Sequence, residues 1–396
     1  MRSGAMVGGK KAGFWHIQLG SLSFVGRQKF APARHSADRR HRNNNLLSLM
    51  PKISLVVCLH REKDLLERLL QHTQDCYDDL VVVHDGVETS APPSHQTQQT
   101  SPEQLSLSFP QAPPIELARD YSELPRNSRL PSGYRLRTEP DSSGSIQELV
   151  HQYKGKFYEG PRCFQQEPHW PFAWWAAKYD WILRLDADEY PSEALRIWLK
   201  DFRKRLSPPN SICGFLCTWP FWDGTREFTI DHTESRPFLI HKHRVSFIGM
   251  AEQGPIPLSK WDATGLTLHH RPARPSFGLS YIFFRKQSYR WRKCIAGSLL
   301  RRTIDLPRWN YHEETWPTHW AQIVERPWLI GIRRFVRFLF SSFRMARNHN
   351  FAFWRSHFLA TPCHQLCISW TFGFFQLSQK FKCSKSFTGN AQNSLR

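Results

Sequence analysis

The sequence predicts an α/β domain built on parallel strands, and three segments carry that prediction: "ISLVVCL" (53–59), "DDLVVVHDG" (78–86) and "WILRLDADE" (181–189). Each contains a short apolar run with few polar interruptions, as expected of a strand buried on both faces of a parallel sheet. The second and third end in acids, at the strand edge where open α/β sheets bind ligands. Between the first two, "EKDLLERLLQHT" (62–73) places Leu65, Leu66, Leu69 and Leu70 at helical spacing, with charges on the other side. Strand, helix and strand in that order call for a right-handed crossover.

The other elements follow along the chain. From Glu88 to Ser145 the composition shifts to Ser, Gln, Pro and Thr. Too few large apolar side chains remain there for a core, so 88–145 reads as a long insertion with a short ordered piece around "IELARDY". "IQELVHQY" (146–153) reads as a helix, "KFYEG" (156–160) as a strand, and "FAWWAAKY" (172–179) as a helix started by Pro171. Residues 192–205 form an amphipathic helical pattern and "ICGFLCTWPFW" (212–222) another strand. Residues 1–50 show no sustained period and read as a disordered or non-native extension, with Met50 as an alternative start. The main domain is therefore expected over 51–300, a helical region over 301–380 and a tail over 381–396.

Charge separates these regions. The chain carries 54 Lys/Arg against 34 Asp/Glu, a net +20. Residues 1–52 hold ten basic residues and one acid, and 321–396 hold eleven and one. The stretch between them holds 33 and 32, so the basicity belongs to the ends and nucleic acid is not the expected partner. "WLIGIRRFVRFLFSSFRMAR" (328–347) is a basic amphipathic helix with membrane-surface character. "SHFLATPCHQLCISWTFGFFQLSQ" (356–379) lacks charge but carries Pro362, His364, Gln365 and Gln376, and reads as an interfacial segment or as a core helix hairpin. The nine cysteines are scattered and never spaced C-x-x-C, which points to reduced thiols rather than a structural zinc site.

The D-x-D of "LDADE" carries the chemistry. Alternation along an extended backbone would turn Asp186 and Asp188 to one side, where one hard cation, Mg²⁺ or Mn²⁺, can bridge carboxylates to a diphosphate. Glu189 would alternate away to support the loop or meet the acceptor side. Arg162, Gln166, Glu167 and His169 stand just before this strand and are candidates to line the pocket beside it.

Taken together, "ISLVVCLHREKDLLERLL", "DDLVVVHDG" and "WILRLDADE" resemble the family 2-type glycosyltransferases of GT-A fold, over roughly Lys52 to Arg290. The Ser/Gln/Pro insertion departs from the family pattern. The resemblance implies a Rossmann-like mixed sheet flanked by helices, with a C-terminal amphipathic helical region added. It also implies a nucleoside diphosphate sugar donor, and a glycan or lipid-linked acceptor as in cell-envelope polysaccharide synthesis.

Residue by residue, the family pattern puts Glu62 near the nucleoside, with Arg61 where Asn is commoner, and Asp85 at the nucleotide base. Asp186 would lie near ribose and metal, Asp188 on the metal, and His269 or His270 near metal or diphosphate, followed by Arg271 and Arg274. An inverting transfer needs a general base. The segment "RPFLIHKHRVSFIGMAEQG" resembles the subgroup of lipopolysaccharide-core-type sugar transferases, in which an acid follows such a stretch; Glu252, in "GMAEQG", is the matching position, with Asp231 and Glu234 as rivals. The expected location is the cytoplasm, peripheral at the inner membrane face. The competing readings are a metal-dependent nucleotidyltransferase or phosphodiesterase, and a non-catalytic basic membrane- or nucleic-acid-binding protein; the early acid-bearing strands favour the transferase.

Overall fold

The computed structural model describes residues 50–87 and 119–393, apart from 127, 140–143, 206–207, 223, 226, 229–235, 273–277, 285, 302–305, 313–315 and 347–357. The extension 1–49, most of the Ser/Gln/Pro stretch, Asp231, Glu234 and Arg274 lie outside the described residues.

The first half alternates strand and helix: β1 (Ile53–Leu59), α1 (Lys63–Thr73), β2 (Asp79–Asp85), β3 (Arg135–Arg137), α2 (Ile146–Gln152), β4 (Lys156–Gly160), α3 (Trp170–Ala176), β5 (Trp181–Arg184), β6 (Glu189–Pro191) and α4 (Glu193–Phe202). Strands dominate next: β7 (Ile212–Thr218), β8 (Phe221–Trp222), β9 (Glu227–Phe228), β10 (Arg236–His241), β11 (Val245–Ile248), β12 (Ile256–Pro257) and β13 (Lys260–His270). The remainder is α5 (Leu279–Phe284), α6 (Lys286–Arg301), β14 (Arg308–Trp309), α7 (Thr318–Glu325), α8 (Pro327–Ala346) and α9 (Ala360–Asn393).

Nine strands form one mixed sheet in the order β3-β4-β2-β1-β5-β10-β7-β13-β6. Its centre, β4-β2-β1-β5, is parallel, and β10 then runs antiparallel to β5 and β7. All seven residues of β1 are buried. Ile53, Leu55, Val57 and Leu59 face a cluster with Leu66 and Leu69 of α1, while Val56 and Cys58 face Trp170, Phe172 and Trp174 of α3. That two-sided burial is why the strand reads as a continuous apolar run. Ser145 and Ser192 accept the Glu148 and Leu195 amides and so start α2 and α4.

The helix at 172–179 sits earlier than its sequence pattern: it begins at Trp170 and ends at Ala176, with Pro171 in its first turn. Within 119–137 more is ordered than the composition indicates. Tyr121 is wholly buried, and Arg135–Arg137 pairs with β4 as the sheet's edge strand. A third apolar cluster joins Ile248 and Met250 to Ile295, Trp320, Ile330, Ile368 and Phe372, so α6–α9 pack on the end of the sheet domain. No helix is long and apolar enough to cross a membrane among the described residues.

Candidate functional site

Because β4, β2, β1 and β5 are parallel, their C-terminal ends deliver Gly160, Asp85, His60 and the residues after Arg184 to one edge. Asp85 is the anchor there. Its carboxylate receives Arg162 as an ion pair, the Cys163 amide, the Phe164 amide at 2.9 Å, and His169 Nε2 at 3.1 Å. Burial alone would raise this carboxyl, but the hydrogen bond and charge of His169, the Cys163 amide and Arg162 outweigh it and hold it below its ordinary range. Gly86 follows at φ +100°, a conformation that favours glycine, and its amide reaches the Gly160 carbonyl at 3.1 Å. Asp85 thus ties the 160–164 loop to the sheet, with Arg162 partly exposed beside it.

Asp85, Cys163 and His169 are also the one group of three potential metal ligands among the described residues whose donor atoms lie within 4.8 Å of one another. The other ring nitrogen of His169 meets the Tyr134 hydroxyl at 3.1 Å, so protein contacts already engage this buried group. Glu62 turns back on its own loop: one carboxylate oxygen accepts the amides of His60 and Arg61, each at 2.8 Å.

The D-A-D segment is a turn. β5 stops at Arg184, and the Glu189 amide closes onto the Asp186 carbonyl at 3.0 Å, so alternation along a strand does not set the side-chain directions. Glu189, wholly buried, is the keystone. It accepts the Asp186 amide at 3.0 Å, the Trp219 indole at 2.7 Å and Arg236 at 2.9 Å. Burial and the neighbouring Asp186 push its carboxyl up, and the Arg236 charge opposes them. Arg236 also holds Asp186 at 2.8 Å. The loop-supporting role expected of Glu189 is therefore present in the geometry.

Asp188 faces a different partner, His270 Nε2, at 3.5 Å, and the His270 ring stacks on Trp219 at 4.2 Å. Burial raises the Asp188 carboxyl and lowers the His270 imidazole, yet their mutual attraction prevails and moves each toward its charged form. β13 antiparallel to β6 puts His270 opposite Glu189 and so brings it to the turn. His269 points elsewhere, to Glu227 at 2.7 Å, which also accepts from Arg271 at 2.7 Å. Asp186, Asp188 and His270 do not form a three-ligand group as compact as that at Asp85.

Glu252 lies in the loop after β11 at φ +62°, a left-handed conformation costly for a residue with a side chain. Its amide donates to Glu167 Oε1 at 2.9 Å, its Oε1 meets His364 of α9 at 3.0 Å, and its Oε2 is buried without a hydrogen-bond partner. Burial pushes the Glu167 carboxyl up to about 7, opposed by the Glu252 amide and assisted by the Asp186 charge. Arg184 is buried with its guanidinium stacked 3.2 Å from the Trp170 ring centre, and two of its nitrogens lack hydrogen-bond partners. Burial and the Arg236 charge lower it to about 9.

Neither known family models nor curated proteins match this chain.

No sequence pattern pointed to Arg236, within "ESRPFLIH", or to His364, 112 residues beyond Glu252, as partners of these acids.

Proposed function

We propose that this chain is a metal-dependent glycosyltransferase of GT-A type, moving a sugar from a nucleoside diphosphate donor, with inversion, to a hydroxyl of a glycan or lipid-linked acceptor. The observation that carries this reading is the turn 186–189 at the C-terminal edge of the parallel strands, held from beneath by Glu189 and Arg236 while Asp188 sits beside His270. Its donor set, carboxylate oxygens with one imidazole, suits a hard divalent cation. Asp188 and His270, with Asp186, would hold Mg²⁺ or Mn²⁺, which supplies charge neutralisation for a departing diphosphate.

The chain's own residues do the rest. Arg162, anchored on Asp85 and partly exposed, supplies positive charge at the donor end of the same edge. Glu252 is the base that takes the acceptor hydroxyl's proton, its Oε1 held by His364 and its buried Oε2 without a hydrogen-bond partner. Arg184 and Arg236 offset the negative charge of Asp186 and Glu189 beneath the turn.

A panel of nucleoside diphosphate sugars, scored for donor cleavage with Mn²⁺ or Mg²⁺, tests the reading. Wild type should turn over at least one donor only with the cation, Asp188→Asn should lose this, and Asp231→Asn should keep it. Cation-dependent cleavage of a phosphodiester with none of any sugar donor would overturn it.

A further inference from the structure

The C-terminal helices carry a surface that the sheet domain does not use. On α8 the inner row Ile330, Arg334, Phe338 and Ser342 is buried at a spacing of four. The opposite row, Leu329, Ile332, Val336, Phe340 and Phe343, is exposed, with Phe340 at 70%. This spacing of three and four sets the second row along one side of the helix. α9 presents Trp370, Phe374 and Leu377 to solvent at the same helical spacing. Trp328 joins the two rows, its ring centre 5.8 Å from that of Trp370 and 4.8 Å from that of Phe374. Beside it a cleft of about 350 Å³ opens between Pro327, Leu329, Gly373 and Leu377.

An apolar face of this extent on an outer helix is a docking surface. Its charge selects the occupant. Arg333 and Arg337 are exposed beside the apolar row, α8 contains no acid, and residues 321–396 contain only Glu325 against eleven Lys/Arg. Pairing two copies through this face would set arginine rows against each other without acids to neutralise them. An anionic lipid surface accepts both halves: the aromatic and aliphatic row enters the acyl boundary, and the arginines reach the headgroups.

We propose that the outer face of α8 and α9 docks this protein flat on an anionic bilayer. The helices lie in the interface and do not cross it, as their composition requires. Docking does not depend on the transferase reading. It adds that α9, which brings His364 to Glu252, also lies at the lipid surface, so an acceptor presented there meets the same end of the molecule.

Co-sedimentation of the full chain with phosphatidylcholine–phosphatidylglycerol vesicles tests this. The basic termini also attract such vesicles, so the deciding variant is Phe340→Ser with Ile332→Ser, which leaves the Trp328–Phe374 contact in place. Both side chains are exposed, and melting temperature and circular dichroism should stay unchanged. Partitioning should fall by about tenfold or more. Arg333→Glu with Arg337→Glu should weaken binding to the mixed vesicles but not to pure phosphatidylcholine. Undiminished partitioning of the serine variant would overturn the proposal, as would a dimer in solution that the serine variant dissociates without any vesicle binding by wild type.

Discussion

His364 Nε2 lies 3.0 Å from Glu252 Oε1, across 112 residues of sequence, and this contact fastens α9 to a loop of the sheet domain whose backbone is itself strained. At φ +62° a β-carbon is unfavourable, so glycine should be preferred over alanine at this position. Glu252→Gly is expected to be more stable than Glu252→Ala by about 1 kcal/mol in urea unfolding, both having lost the His364 contact. Equal stabilities would mean that the left-handed conformation is not held in solution.

Glu167 gives the fold a pH dependence with a definite sign. Its ordinary value of 4.5 is raised to about 7 by burial, so the folded state holds its proton more tightly than the unfolded chain. The stability this contributes is complete below 4.5 and lost as pH rises through 7. Glu167→Gln keeps an oxygen for the Glu252 amide and removes the titration. Unfolding free energies should agree between variant and wild type near about pH 5 more closely than near about pH 8, where the variant gains on the order of 2–3 kcal/mol. A gap that does not change with pH would refute this.

Arg236 is worth more to the fold than a surface cation. It sits between Asp186 and wholly buried Glu189, at 2.8 and 2.9 Å. Arg236→Met leaves the Glu189 charge uncompensated in the interior and should cost about 3–5 kcal/mol at neutral pH. The loss should shrink in acid, where Glu189 can take a proton, and the double variant Arg236→Met, Glu189→Gln should recover part of it. Calorimetry at two pH values on the three proteins distinguishes this from simple loss of packing.

These cases show what the sequence could carry. β1, β2 and β5 were legible because strands buried on both faces must be largely apolar, as Ile53–Leu59 is, with Ser54 its single polar residue. Arg135–Arg137 was not, because an edge strand of "RLR" pairs through its backbone and needs no apolar pattern. The acids after β5 were legible as a cluster, but their directions were not. A turn closed by the Glu189 amide replaced the extended backbone that alternation assumes. Arg236 and His364 stayed hidden because each meets its partner only through tertiary packing, of which no local spacing keeps a trace.

The pairing of α8 with α9 rests on two glycines. A β-carbon on Gly331 would stand 2.8 Å from the Trp370 ring, and one on Gly373 would stand 2.9 Å from the Trp328 ring. Each helix therefore offers a bare backbone to the other's tryptophan, a reciprocal close approach that larger side chains would forbid. Gly331→Val should push Trp370 outward and destabilise the helix pair by about 1–3 kcal/mol, despite the better helix propensity of valine over glycine. Trp370→Ala in the same chain opens space for the new side chain and should reduce that penalty, which a double-mutant cycle on melting temperature would read as coupling. Additive losses would show that the two helices do not meet at this point.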